Sequence, residues 1–153
     1  MGNLVGGHVA LMAVARRARC ANGSALLDPI PSDGDVKRRC FFRPRGTASA
    51  VALAQLIADA LFDACQGGMD DALVDIRAVN GFESPGPLFR AWAVGLWARM
   101  AGEDLRVAMV ARPEHICPHK TGLLVAAEEG LQANIFDSEA PALAWLNSFR
   151  TPP

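Results

Sequence analysis

DALVDIRAVNGFESPGPLFRAWAVGLWARMAGEDLRVAMVA, residues 71–111, decides the fold. Its first part, DALVDIRAV (71–79), is an apolar run of strand length. A strand buried on both faces reads this way. GFESPGP (81–87) then breaks the pattern with glycine and proline. From there Leu88, Phe89, Trp92, Ala93, Leu96, Trp97 and Met100 recur at helical spacing up to Gly102. LRVAMVA (105–111) is a second buried-type strand. Strand, helix, strand makes a crossover unit, and a crossover joins parallel neighbours.

The same alternation continues outward in both directions. Toward the N-terminus, VKRRCFFR (36–43) reads as a strand that ends at the turn signal Pro44-Arg45-Gly46. Residues 47–66 form the clearest helix, with Thr47 or Ser49 as cap, Leu53, Leu56, Ile57 and Leu61 on the buried face, and Gly67-Gly68 as stop. Toward the C-terminus come a loop (112–118), a helix (121–129) closed by Gly130, and a strand (131–136). A last helix, capped by Ser138, carries Pro141 in its first turn, where the missing N–H does no harm. The expectation is one α/β domain over residues 36–150, with a four- to five-stranded, mainly parallel sheet flanked by about four helices. Residues 1–35 are expected to add an antiparallel edge strand and a loop rich in Gly and Pro. Ligand sites in open sheets lie beyond the carboxyl ends of the strands, which here means the loops 80–87, 112–118 and 137–139.

Bulk properties narrow the function. The chain has 153 residues, is 51% hydrophobic and has a formal net charge of −1. That suits a single globular core and gives no field to attract nucleic acid or an anionic membrane. The apolar run near the N-terminus is followed, not preceded, by Arg16, Arg17 and Arg19, and is too short to span a bilayer. A soluble cytoplasmic protein with reduced cysteines is expected. There is no GxGxxG, GxxxxGKS or GxSxG motif, so nucleotide binding and α/β-hydrolase chemistry lack support, and no cofactor is implied.

Several side chains carry candidate chemistry. Asp75 and Arg77, two apart on one strand, would share a face near the ligand end; a structural ion pair is the plainer alternative. Ser84 follows Glu83 and precedes Pro85-Gly86. It could be a phosphorylated switch, or simply a helix N-cap with Pro85 as the first helical residue. His115, Cys117 and His119 alternate along one loop beside Arg112. They could bind a metal or supply a nucleophile and base, but no matching ligand cluster appears elsewhere. Phe89, Trp92 and Trp97 sit on a helix that is apolar almost all round, which suits a dimer face or a ligand pocket as well as core packing.

The segments LVDIRAVNGFESP (73–85), RVAMVARPE (106–114) and ANIFDSEAPALAWL (133–146) together resemble the STAS-like group of small bacterial domains. That group includes the SpoIIAA-like relatives of anti-sigma-factor antagonists and has a wider likeness to lipid-binding SEC14-type domains. The resemblance implies Ser84 as the switch position, with Glu83 and Pro85 departing from the usual Asp-Ser-Ser-Gly turn. It also implies a non-catalytic regulatory module whose partner is a protein such as an anti-sigma-type regulator. A second expectation is a carrier of a lipid-like or other apolar small molecule, held in a cavity lined by Phe82, Phe89, Trp92 and Leu96. A third is an enzyme using Asp75 or the His115, Cys117 and His119 loop.

Overall fold

A computed structural model describes residues 38–149. The edge strand and loop expected over residues 1–35 lie outside the described residues. The described residues form six strands, β1 (Arg39–Phe42), β2 (Gly46–Thr47), β3 (Asp71–Asp75), β4 (Val79–Asn80), β5 (Arg106–Val110) and β6 (Gln132–Phe136). The helices are α1 (Ala50–Gln66), α2 (Pro87–Ala101), α3 (Thr121–Glu128) and α4 (Glu139–Asn147). The main sheet runs β1-β3-β5-β6, every pair parallel, and β2 and β4 form a short parallel pair of their own. The expected α/β architecture with a parallel core sheet is therefore present.

Strand order follows chain order without reversal, so each right-handed crossover puts its helix on the same side. The register shows the result. Phe42, Val74, Met109 and Ile135 lie in one row across the sheet. They pack with Leu53, Ile57 and Leu61 of α1, Val94 and Ala98 of α2, and Ala126 of α3. On the opposite face Leu73, Ala108 and Val110 pack against Ala142 and Leu146 of α4. Three helices thus cover one face and α4 covers the other.

Local chemistry explains the element boundaries. Ser49 Oγ accepts the Ala52 N–H at 3.1 Å and caps α1, an arrangement worth about 1 kcal/mol over alanine. At its other end Gly68 turns left-handed (φ 69°), and the Met69 N–H reaches back to the Ala64 carbonyl at 3.0 Å. That six-to-one bond satisfies a carbonyl the helix would leave bare. Between these ends Leu53, Leu56, Ile57 and Leu61 are buried, and truncating any one to alanine costs roughly 2–5 kcal/mol.

Two boundaries differ from the sequence expectation. The run 71–79 is not one strand: β3 stops at Asp75, and Val79–Asn80 pairs instead with β2. The cause is Asp75 itself, whose Oδ1 accepts the Arg77 N–H at 3.1 Å and turns the chain. Arg77 therefore lies beyond the strand and not on its face. Helix α2 starts at Pro87 with Gly86 as N-cap, so neither Ser84 nor Pro85 begins it. The turn that replaces the expected strand end is tight. A Cβ at Gly81, where φ is 95°, would lie 2.5 Å from Thr47 Cγ2.

A charged pair is built into the sheet. Arg39 and Asp71, partners across β1 and β3, are 3% and 1% exposed and share two hydrogen bonds of 2.6 and 3.0 Å. Breaking such a pair strands a buried charge.

Candidate functional site

The three loops at the carboxyl edge split into two clusters on opposite faces of the sheet. On the α4 face, Arg77 clasps the Asp75 carboxylate from Nη2 at 2.8 Å and from Nε at 3.0 Å. Burial alone would raise the Asp75 pKa, but the hydrogen bonds and charge of Arg77 prevail and hold it below the usual carboxylate range. Glu139, the first residue of α4, forms a two-bond pair with Arg43 at 2.6 and 3.2 Å. Each charge here has an opposite charge beside it, Asp75 with Arg77 and Glu139 with Arg43.

On the other face the loops 80–87 and 112–118 meet, and Arg90 of α2 ties them. Its Nη2 donates to Ser84 Oγ at 2.7 Å and to the His115 carbonyl at 3.0 Å, while Nε donates to the Pro85 carbonyl at 2.9 Å. Arg112 adds a second tie, donating from Nη2 to the Val79 carbonyl at 2.9 Å. The His115 ring stacks on Phe82 with centroids 4.3 Å apart. Ser84, Arg112 and His115 are thus brought together as the sequence suggested, and Glu83 is exposed on the same rim. Arg90 was not singled out from the sequence, where it reads as one charge on an apolar helix.

Beneath this rim lies a cavity of about 130 Å³ between the sheet and α1, α2 and α3. Leu53, Ile57, Phe89, Trp97, Met109 and Ile135 are among its apolar walls. Of the four side chains expected to line a ligand cavity, Phe82 and Phe89 do so; Trp92 and Leu96 are not part of the wall. Trp97 takes their place, anchored by its Nε1–H to the Ala54 carbonyl at 2.8 Å. Trp97 is thus anchored inward, while on the same helix Trp92 is 44% exposed and Leu88 is 89% exposed.

The polar side chains at the cavity are Arg90, His115, Cys117, Lys120 and Asn134, with no carboxylate among the described lining residues. His115 is 7% exposed, and its Nδ1 is buried without a hydrogen-bond partner. Burial, followed by the nearby Arg112 charge, lowers its pKa and favours the neutral ring. Cys117 precedes α3, with its Sγ 3.6 Å from Thr121 Oγ1. Hydrogen bonding from the Thr121 backbone, then from its side chain, brings the Cys117 thiol down to about 7. Lys120, between Cys117 and the helix, holds a left-handed backbone (φ 52°), which costs a non-glycine residue about 1–2 kcal/mol. Such strain persists only where its surroundings enforce it.

The expected metal candidates do not converge. His119 is exposed, His115 is buried and Cys117 is engaged with Thr121. Among the described residues no three His, Cys, Asp or Glu side chains form a metal-binding group. Nor is any described helix long and apolar enough to cross a membrane. Compared with protein-family models, with curated proteins and with solved structures, the chain gives no match.

Proposed function

We propose that the domain binds a small apolar molecule in the cavity beneath the loops 80–87 and 112–118. The observation that carries this reading is the cavity itself. Protein cores pack to crystal density, with few voids larger than a water molecule. A space of about 130 Å³ that opens at the rim is larger than such gaps and can be entered from solvent. A cavity of about 150 Å³ lined by Leu, Ile and Phe stays dry and takes up benzene. The ligand, or the part of it held inside, is therefore of about six carbons. The resemblance of segments 73–85, 106–114 and 133–146 to STAS-like domains, whose wider likeness extends to lipid-binding SEC14-type domains, agrees with this reading. Titration with 1-hexanol, read by chemical shifts of the Ile and Met methyl groups, tests the reading. Saturable shifts centred on Ile57, Met109 and Ile135 are expected, and uniform or absent shifts would sink it.

A regulatory role for the same rim is the second reading, favoured by one contact. Ser84 is exposed and already donated to by Arg90 at 2.7 Å. A phosphate on Ser84 would meet that guanidinium and gain charge-assisted bonds. A protein partner, in the manner of an anti-sigma-type regulator, would then sense the rim. Equal partner affinity for wild type and Ser84→Asp would remove this reading.

A further inference from the structure

Resting on the cavity reading, we infer that Cys117 is a covalent attachment site that takes the acyl group of a small thioester and stores its hydrocarbon tail in the cavity. Three observations converge. Cys117 lines the apolar cavity and is only partly buried. The Thr121 contacts favour the thiolate, the nucleophilic form of the side chain. His115 lines the same cavity, is 7% exposed, and has Nδ1 buried with no protein partner. A buried polar atom left without a partner is costly, and a ligand carbonyl oxygen would satisfy an Nδ1–H.

The lining selects the electrophile. The walls are hydrocarbon, so what stays inside must be neutral and apolar. Arg90 and Lys120 are the cations among the lining residues, which include no carboxylate, while Glu83 and Glu114 of the rim loops are exposed and outside the lining. A group that departs beside Arg90 and Lys120 can therefore leave as an anion. A thioester meets both conditions. The Cys117 thiolate attacks the carbonyl carbon, and a new carbon–sulfur bond forms. The bond to the donor sulfur breaks with its electron pair, and the donor leaves as a thiolate toward the exposed rim. The proton Cys117 gave up on ionising goes to water. Thiol–thioester exchange is neither oxidation nor reduction and needs no further reactant.

The full chain is to be incubated with the hexanoyl thioester of N-acetylcysteamine and followed by intact mass and peptide mapping. One hydroxylamine-labile hexanoyl group on Cys117 is expected, appearing about tenfold faster than any label on the exposed Cys65. Cys117→Ser should remove it. His115→Phe keeps the ring stack but loses the nitrogen, and should slow acylation severalfold. Ala93→Leu fills the cavity and should slow acylation equally while leaving the Cys117 rate with iodoacetamide unchanged. Equal labelling of Cys65, or an Ala93→Leu variant acylated as fast as wild type, overturns the inference. So does the absence of any acyl group on a protein whose Ile57, Met109 and Ile135 methyls still shift with 1-hexanol. In that last case the cavity reading stands and only the attachment fails.

Discussion

Arg90 Nη2 donates to the carbonyl oxygen of His115 at 3.0 Å, joining residues 25 apart in sequence across the rim of the cavity. The same guanidinium holds Ser84 and Pro85, so one side chain of α2 fixes the relative position of both loops. Its planar fork matters, because a lysine could not reach three acceptors in this arrangement.

Arg90→Lys and Arg90→Ala should therefore each lower unfolding stability by about 1.5–3 kcal/mol, the range for hydrogen bonds to a charged group. Ser84→Ala removes one acceptor at an exposed position and should change it by less than about 0.5 kcal/mol. Urea titration followed by tryptophan fluorescence measures both. Equal effects of Arg90→Ala and Ser84→Ala would mean the loops are held by something else.

Filling the cavity should stabilise the empty protein. Ala93 is 2% exposed and lines the void. Ala93→Leu is expected to raise stability by about 0.5–2 kcal/mol, with loss of the 1-hexanol shifts. A destabilised Ala93→Leu protein would show that the space is too narrow for a side chain and hence for a ligand.

The buried pair in the sheet has the opposite sensitivity. Asp71→Asn removes the buried carboxylate that holds Arg39 by two hydrogen bonds, and should cost about 3–5 kcal/mol. Replacing both, Arg39→Met with Asp71→Leu, should recover most of that loss, as calorimetry can show. If the double variant is no better than the single one, burial of the charge is not the cause.

Acid should weaken the domain through Asp75. Its pKa is lowered in the folded protein, so the pairing with Arg77 contributes fully above the unfolded carboxylate value and is lost as pH falls below about 4. Arg77 is 40% exposed, so salt should weaken the contribution. Wild type and Asp75→Asn should converge in melting temperature between pH 5 and pH 3; parallel curves would refute the linkage.

Cys117 should titrate near neutrality. Hydrogen bonds from Thr121 bring it down to about 7, with the Arg90 charge a smaller aid. The exposed His119 and Lys120 are its neighbours in the loop. Its rate with iodoacetamide should rise through pH 7 and level off by pH 8. Thr121→Val, which keeps the backbone N–H but loses the hydroxyl, should move the midpoint upward by a fraction of a unit. A midpoint unchanged in Thr121→Val would assign the effect to the backbone alone.

Much of the fold is legible in the residues. Hydrophobic period, Gly68, Gly102 and Gly130 place the helices and their stops, and the apolar runs place β3, β5 and β6. The misplaced boundaries come from side chains acting on their own backbone. Asp75 turns the chain two residues on, and no periodicity signals that. The start of α2 moved to Pro87 because two prolines competed for the same role. The rim was legible as loops 80–87 and 112–118, and the cavity only in part: Phe82 and Phe89 line it as expected, whereas Trp92 and Leu96 do not. It arises where small residues such as Ala54, Ala93 and Ala126 face one another across three helices, and each alone reads as ordinary helix composition. Thr121, four residues beyond Cys117 at a helix start, is a local signal that could have marked the thiol.

The unreversed strand order has a consequence for how the chain folds. Every strand of the main sheet pairs with the one laid down before it, separated only by its own crossover. Each crossover is nonetheless long: Arg39 and its partner Asp71 are 32 residues apart, and Arg106 and Gln132 are 26 apart. Parallel pairing over such spans must close a loop before any contact rewards it, which slows folding, so the chain has to be held together by its helices while the sheet assembles.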